Sequence, residues 1–180
     1  MITVVDVETT YQKNKNNGFD PSPFHPDNKL VSVGLESKYG SEYYFTFHSE
    51  KVSRGGAARI QEVLDETTLL VGHNLKFDLM WLLEAGFKYS GKVYDTMLGE
   101  YILQRGQKEP LSLEACAERH QLHTQKQDTL KEYFKQGLNV AEIPHNELSE
   151  YLSADLHATQ QLFREQDRQY TYGTGRTLVD

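Results

Sequence analysis

The chain has 180 residues, a length that suits one domain and can bury a sizeable core. Apolar residues make up 38% of it and charged residues 25%, which indicates a soluble globular protein and excludes a disordered chain. The formal net charge of −7 argues against a dedicated nucleic-acid-binding module, because such modules are usually basic, but divalent cations bound to a carboxylate cluster would weaken that argument.

Taken in order, the pattern of apolar residues predicts three strands, a helix, a strand, a helix, a strand and then mostly helices. The predicted strands are 2–7, 30–35, 43–47, 68–72 and 92–94, and the predicted helices are 53–65, 77–85, 96–103, 113–120, 128–135 and 146–168. The polar, proline-containing residues 11–29 predict a long loop. This order predicts an α/β fold, an open mixed sheet covered by helices, in a single domain over residues 1–170 with a polar tail at 171–180.

Two carboxylates stand at the end of the first predicted strand. Asp6 and Glu8 are two positions apart, and on a strand this spacing points both side chains to the same face. Two carboxylates on one face repel each other unless a cation lies between them, and oxygen ligands favour Mg²⁺ or Mn²⁺. An isolated Asp-x-Glu is common, however, and an exposed strand end or a helix cap at Asp6 would also explain the pair.

A third carboxylate, Asp78, falls in the first turns of a predicted helix that follows a strand ending at Gly72. An acidic side chain there also suits the helix dipole, so an ordinary N-terminal acid is the simpler interpretation of Asp78 alone. Asn74 likewise fits a turn or cap residue. The nearby Phe77 and Trp81, four positions apart, are predicted to be core side chains rather than a platform for stacked bases.

Tyr151 and Asp155 are four positions apart on the last predicted helix, so the phenol and the carboxylate share one face, about one turn apart. By spacing alone, an ordinary half-buried or surface pair is the simpler interpretation. A phenol beside a metal-binding carboxylate could instead orient a water molecule for attack on phosphorus.

Together these segments resemble the three motifs of the DEDD superfamily of 3′–5′ exonucleases, whose fold is ribonuclease H-like. Residues 4–10 resemble the first motif and residues 72–78 the second. Residues 151–155 resemble the third motif in its tyrosine form. The histidine form has a His five positions before the last Asp, where this chain has Glu150. Residues 94–98 resemble the Asp-Thr segment of the family, and 111–117 resemble a helix common in the exonuclease domains of family A DNA polymerases.

The resemblance implies a phosphodiester hydrolase that releases nucleoside 5′-monophosphates from a DNA 3′ end with two divalent cations, Mg²⁺ or Mn²⁺. It implies that Asp6, Glu8 and Asp155 hold one cation, and that Asp6 bridges to a second, which Asp78 supports. Tyr151 would orient the attacking water rather than act as a strong base, since the pKa of a tyrosine is ordinarily about 10.

The resemblance also implies how a strand is held. The main chain near Thr9 and the residue Asn74 are expected to contact the 3′ end, and a single-stranded or frayed end is expected because a duplex end must first unpair. Lys76 and Arg54 are candidate phosphate contacts, although a solvated surface charge is the simpler interpretation of each. The chain ends soon after the third motif, which leaves three expectations open: a free-standing enzyme, a proofreading subunit that joins a separate DNA polymerase, or an excised domain.

Three alternatives stay open. An exonuclease that processes RNA 3′ ends has the same fold and would differ at contacts to the 2′-hydroxyl. A non-catalytic nucleic-acid-binding domain would be expected to lack at least one carboxylate, and all four are present. A generic acidic interaction module fits the net charge but leaves three ordered motifs unexplained.

The sequence also bears on location. No apolar run is long enough to cross a bilayer and no signal peptide precedes the first strand, so no membrane partner is expected. The single cysteine, Cys116, excludes an internal disulfide, and a reducing, cytoplasmic setting is the simplest interpretation, although a cysteine-poor secreted protein would look the same.

Overall fold

A five-stranded mixed sheet forms the centre of the computed structural model, which describes residues 1–13, 18–45, 53–122, 129–136 and 138–174. The strands are β1 (Ile2–Thr9), β2 (Gln12–Lys13), β3 (Phe19–Asp20), β4 (Leu30–Ser37), β5 (Gly40–Phe45), β6 (Leu69–Gly72) and β7 (Lys92–Asp95). The helices are α1 (Arg54–Glu66), α2 (Leu75–Glu84), α3 (Thr96–Leu103), α4 (Leu113–Arg119), α5 (Thr129–Lys135) and α6 (His145–Thr174), with a 3₁₀ turn at Val140–Glu142.

The strands of the main sheet follow the order β5-β4-β1-β6-β7. β4 is antiparallel to both β1 and β5, whereas β6 is parallel to β1 and β7 is parallel to β6. This confirms the predicted open mixed sheet. The parallel ladder between β1 and β6 covers only Ile2–Val4 of β1, so the later part of that strand has a side that β6 does not cover.

Helices cover both faces of the sheet because alternate strand residues point to opposite sides. On one face, α1 and α2 pack on β1 and β4 through a cluster that includes Val5, Val7, Val33, Leu35, Ile60, Leu64, Trp81 and Leu82. On the other face, Leu156 and Phe163 of α6 pack on Val4, Leu69 and Val71. None of the helices in the described ranges combines the length and the apolarity needed to cross a membrane.

The predicted helices and main-sheet strands are all present, with shifted bounds. α2 begins at Leu75 rather than at Phe77, and α6 continues to Thr174 rather than ending near Arg168, so residues 171–174 of the predicted tail are helical. The segment 11–29, predicted as a loop, contains the paired strands β2 and β3. Of the positions covered by these predictions, 14–17, 46–47, 128 and 175–180 lie outside the described residues.

A buried polar cluster joins α3, α4 and α6. Glu100 is 2% exposed and accepts hydrogen bonds from Arg119 Nη1 at 2.6 Å, His120 Nε2 at 2.9 Å and Gln166 Nε2 at 3.1 Å. Burial alone would raise the pKa of Glu100, but hydrogen bonds from His120, Gln166 and Arg119 outweigh it and leave the pKa lowered. The cluster therefore holds an ionised carboxylate inside the protein.

Candidate active site

Asp6 and Glu8 lie on β1 where the strand has passed the end of its ladder with β6. Val4, two residues earlier, packs on α6, so strand alternation places both carboxylates on the face that α6 covers. Asp6 lies directly opposite Gly34 of β4, and Glu8 lies opposite Ser32. Both carboxylates are half-buried.

Asp78 comes from the first turn of α2 and is 4% exposed. It reaches the later part of β1, where the Val7 N–H donates hydrogen bonds to the carboxylates of Asp78 and Asp6. On the same helix Trp81 is buried and Phe77 is partly buried, with ring centroids 6.5 Å apart, which confirms the prediction that both are core side chains. α2 thus inserts one acid beside an otherwise apolar surface.

The fourth carboxylate, Asp155, comes from α6. The neighbouring Leu152 and Leu156 are fully buried, which fixes this part of the helix against the sheet. Tyr151 lies one turn before Asp155, and its hydroxyl hydrogen-bonds to the Asp155 carboxylate. Burial, followed by the charge of Asp155, raises the pKa of Tyr151 above its ordinary value, so the phenol keeps its proton at neutral pH.

The four carboxylates are close enough to repel one another. Burial, and then the charge of Asp155, raises the pKa of Asp6. Burial and the charges of two neighbouring carboxylates raise the pKa of Glu8, and the same is true of Asp78. Burial raises the pKa of Asp155 to about 6, although its hydrogen bond with the phenol lowers it. The fold therefore gathers side chains from β1, α2 and α6 into one acidic cluster.

The donor set of this cluster fits hard divalent cations. Asp6 Oδ2 and Asp78 Oδ2 are buried without a hydrogen-bond partner, and the charged groups that shift the carboxylate pKa values are themselves carboxylates. A buried anion needs a compensating partner, and Mg²⁺ or Mn²⁺ would supply it through oxygen ligands. Over the described ranges, however, no three His, Cys, Asp or Glu side chains are already arranged to hold a metal ion.

The two predicted substrate contacts flank the cluster. Thr9 ends β1, next to a register shift in the ladder with β4. Asn74 immediately precedes α2, is exposed, and makes no capping hydrogen bond with its side chain. Of the candidate phosphate contacts, Lys76 is exposed on α2 two residues before Asp78, whereas Arg54 begins α1, a helix that carries none of the four acids.

The segment that follows β1 is tied to both sides of the cluster, a feature that its polar sequence did not predict. Thr10 N donates to Lys29 O at 2.9 Å, which closes the segment at the end of β1. Trp81 Nε1 of α2 donates to Pro21 O at 3.2 Å. Two phenylalanines of this segment are exposed, Phe19 at 63% and Phe24 at 71%. Large apolar residues in a polar stretch are the feature of the sequence that could have indicated more than a plain loop.

Most of the chain matches a known protein family. Residues 24–169 match the model of a family described as 3′–5′ exonuclease. The matched range contains Asp78, Tyr151 and Asp155 and begins after Asp6 and Glu8. No curated protein sequence matches the chain significantly.

Solved structures with the same fold include NrnC of Brucella melitensis, at 19% identity and a TM-score of 0.65 over 98% of this chain and 76% of that one. NrnC is also matched in forms with bound Mg²⁺ and bound to pGG. Pol1 of M. smegmatis, in complex with DNA primer-template, matches at 13% identity and a TM-score of 0.57, over 94% of this chain and 24% of that one. The family B DNA polymerase of Pyrobaculum calidifontis matches at 16% identity and 0.60, over 91% and 24%. These similarities confirm the predicted ribonuclease H-like fold class.

Proposed function

Because the chain belongs to the 3′–5′ exonuclease family, we propose that it hydrolyses the terminal phosphodiester of single-stranded or frayed DNA and releases nucleoside 5′-monophosphates. One observation carries the proposal. Asp6, Glu8, Asp78 and Asp155 come from three separate elements and converge in one acidic cluster. Carboxylates that are partly or fully buried and that repel their neighbours oppose folding, so the cluster indicates a functional site.

The carboxylates are proposed to hold two divalent cations, Mg²⁺ or Mn²⁺. Asp6, Glu8 and Asp155 would hold one, and Asp78 would support the second together with Asp6. Such cations promote attack by water and stabilise the charge that develops on the departing 3′ oxygen. The unpartnered oxygens of Asp6 and Asp78 support this assignment, and so does the Mg²⁺ bound by NrnC.

Tyr151 is proposed to orient the attacking water, as in the tyrosine form of the DEDD enzymes. Its raised pKa means that the phenol is protonated at neutral pH and can donate a hydrogen bond. Its contact with Asp155 holds the ring beside a carboxylate that would bind a cation. The phenol therefore positions a reactant and does not remove a proton from it.

The strand is proposed to enter with its 3′ end beside Thr9 and Asn74. The Asn74 side chain is exposed and is not used as a helix cap, which leaves its amide able to contact a sugar or phosphate. We place the catalytic unit within residues 1–170. A DNA polymerase supplied as a separate chain is a candidate partner, since the matched region of Pol1 covers 24% of that polymerase, and a cytoplasmic setting suits both.

A second candidate is an exonuclease that acts on RNA 3′ ends or short oligonucleotides. It is favoured by the similarity to NrnC, which has been captured with pGG and is matched over more of its length than the polymerases are. Matched DNA and RNA strands of one sequence, labelled at the 5′ end, separate the two candidates through the ratio of their kcat/KM values.

The proposed activity is tested by following the shortening of a 5′-labelled single strand with Mn²⁺, with and without a chelator. We expect shortening from the 3′ end, none with the chelator, and a loss in Asp6→Ala of more than about a thousandfold. Glu84→Ala, which removes an exposed carboxylate at the end of α2, should match the wild type. Undiminished activity in Asp6→Ala would refute the proposal.

A further inference from the structure

The turn between β6 and α2 lies directly against the Asp78 carboxylate. Gly72 ends β6, and a Cβ atom added there would lie 3.1 Å from Asp78 Oδ2 and 2.9 Å from Leu75 Cδ1. The absent side chain thus lets the carboxylate rest on the backbone of the turn. Any displacement of that backbone would therefore displace Asp78 relative to Asp6 and Glu8.

The turn contains a left-handed residue that is held by an outside contact. Asn74 has φ 63° and ψ 42°, in the left-handed region that asparagine adopts more readily than most residues other than glycine. Its N–H donates to Asp95 Oδ1 at 3.0 Å. The same oxygen caps α3 by accepting from Met97 N at 2.9 Å and Leu98 N at 3.4 Å. One carboxylate oxygen thus joins the turn to the start of α3.

Thr96 and His73 make a second connection between the same elements. The hydroxyl of the buried Thr96 lies 2.9 Å from His73 Nδ1 and 3.2 Å from the Gly72 carbonyl oxygen. His73 Nε2 lies 2.8 Å from the carbonyl oxygen of Leu111, which can only accept, so Nε2 carries the proton. Burial lowers the pKa of His73, so the ring is neutral and Nδ1 can only accept. The single hydroxyl proton of Thr96 is therefore shared between His73 Nδ1 and the Gly72 carbonyl oxygen.

One contact of its own side chain holds Asp78, the hydrogen bond that its carboxylate accepts from the Val7 N–H. Its Oδ2 has no hydrogen-bond partner, and the charges of Asp6 and Glu8 repel the carboxylate. A second constraint is the backbone to which Asp78 is attached, which hydrogen bonds with β7 and α3 hold in place.

We propose that Asp95, Thr96 and His73 form a clamp on the β6–α2 turn that positions Asp78 for cation binding. The inference rests on the proposed function, since it assigns Asp78 to a cation. Asp95 and Thr96 are positioning residues: they act on the site through hydrogen bonds to the turn. The Asp-Thr pair at the start of α3 therefore serves both as a helix cap and as a support for the site.

The charge of Asp95 also raises the pKa of Asp78, so a direct electrostatic role for Asp95 is the competing explanation. An asparagine at position 95 separates the two roles, because its amide can accept the hydrogen bonds but carries no charge. Asp95→Asn keeps an oxygen that accepts from backbone N–H groups and removes the charge, whereas Asp95→Ala removes both. Thr96→Ser and Thr96→Val separate the hydroxyl from the shape of the side chain in the same way.

The test is calorimetric titration of Mn²⁺ into the metal-free 180-residue chain, with folding of each variant checked by circular dichroism. Asp95→Ala and Thr96→Val should raise the Mn²⁺ dissociation constant about tenfold or more, as changes to residues that support metal ligands do. Asp95→Asn and Thr96→Ser should stay near the wild type. Thr67→Val is the matched control, because Thr67 is a buried threonine before β6 whose hydroxyl bonds to Thr3 and to the Val63 carbonyl, away from the cluster.

Unchanged Mn²⁺ affinity in folded Asp95→Ala would overturn the clamp. So would a loss of Mn²⁺ affinity in Asp95→Asn as large as that in Asp95→Ala, because the effect would then come from the charge. An equal loss in Thr67→Val would reduce it to general destabilisation. If Thr96→Val does not fold, the comparison of Asp95→Ala with Asp95→Asn is sufficient to test the clamp. A wild-type chain that neither binds Mn²⁺ nor shortens a strand would instead refute the proposed function, so the two failures are distinguishable.

Discussion

Gly34 of β4, the strand partner of Asp6, lies close to Leu156 of α6. Asp6 pairs with Gly34, and a Cβ atom at position 34 would lie only 3.0 Å from Leu156 Cδ1. The glycine lets α6 approach the sheet closely at the point where Asp155, one residue before Leu156, meets the carboxylates of β1. The spacing between sheet and helix at this point therefore sets the size of the acidic cluster.

Gly34→Val should separate the cluster by pushing α6 outward. We expect the free energy of unfolding to fall by about 1–3 kcal/mol from overpacking and the rate of strand hydrolysis to fall as well. Adding Leu156→Ala to this variant should restore part of the rate, because it makes room for the new side chain. The measurements are urea unfolding and the labelled-strand assay.

The control for that pair is Gly55→Ala, at a glycine of α1 with no heavy atom within 4 Å of an added Cβ. It should leave the rate unchanged and, as a better helix former, leave stability equal or slightly higher. A full hydrolysis rate in Gly34→Val would contradict the idea that this glycine sets the approach of α6.

Tyr151→Phe should lower kcat about 10- to 100-fold, the effect expected when one hydrogen bond to a reactant is lost. The Mn²⁺ concentration needed for half-maximal rate should stay the same, since the phenol is not proposed as a ligand. Both values come from rates measured over a range of Mn²⁺ concentrations. Equal kcat in the variant and the wild type would leave Tyr151 with a packing role.

Asp78→Asn should stabilise the metal-free protein while abolishing hydrolysis. Asp78 is 4% exposed and its charge is opposed by burial and by Asp6 and Glu8, so removing the charge should raise the free energy of unfolding by about 1–3 kcal/mol at pH 7. A thermal melt without metal gives the comparison. A less stable variant would show that favourable contacts of the Asp78 carboxylate outweigh its burial and its repulsion by Asp6 and Glu8.

Addition of Mn²⁺ should stabilise the wild type, by about 2.7 kcal/mol at a hundred times the dissociation constant. The same addition should stabilise Asp78→Asn much less, because the variant lacks a proposed ligand. Glu84→Ala should respond to Mn²⁺ as the wild type does. If Mn²⁺ raised the free energy of unfolding of Asp78→Asn as much as that of the wild type, Asp78 would not be a ligand of the cation.

Glu100→Gln should destabilise the protein by about 1–3 kcal/mol at pH 7, because it takes the charge from a buried hydrogen-bonded cluster. The pKa of Glu100 is lowered in the folded chain, so its charge contributes stability above the ordinary glutamate pKa. That contribution is lost as the pH falls through the lowered pKa, and the difference between variant and wild type should shrink accordingly.

Urea unfolding at pH 7 and at several values below 4.5 measures this difference. Glu62→Gln is the control, since Glu62 is an exposed partner of Arg59 and its loss should change stability by less than about 1 kcal/mol. A Glu100→Gln effect that is constant over the whole range would assign it to shape rather than charge.

Local patterns were sufficient to predict the elements that carry the site. The β-branched run at 2–7 and the helical spacing of Tyr151 and Asp155 each depend on near neighbours, and the strand and the helix are both present. The sequence does not predict the short pair of β2 and β3, because two-residue strands leave no period to detect. It predicts an end of α6 that is too early, because the last turns of this helix are polar.

Contacts between distant residues were beyond the reach of the sequence. Glu100 looks like a surface residue in α3, yet it is buried because Arg119, His120 and Gln166 converge on it from other helices. Asp95 caps α3, which is a contact between near neighbours in the sequence. Its second contact, with Asn74, depends on β6 and β7 being neighbours, which spacing along the chain does not specify.

Trp81 is the sole tryptophan of the chain, so the protein contains its own optical probe at a well-defined place. Its indole N–H is bonded to Pro21 of the segment after β1, and its backbone lies one helical turn beyond Asp78. A nucleic acid strand that displaced this segment would break that bond and change the indole emission. The entry of unlabelled DNA or RNA could thus be timed by stopped-flow fluorescence, separately from the bond cleavage that follows.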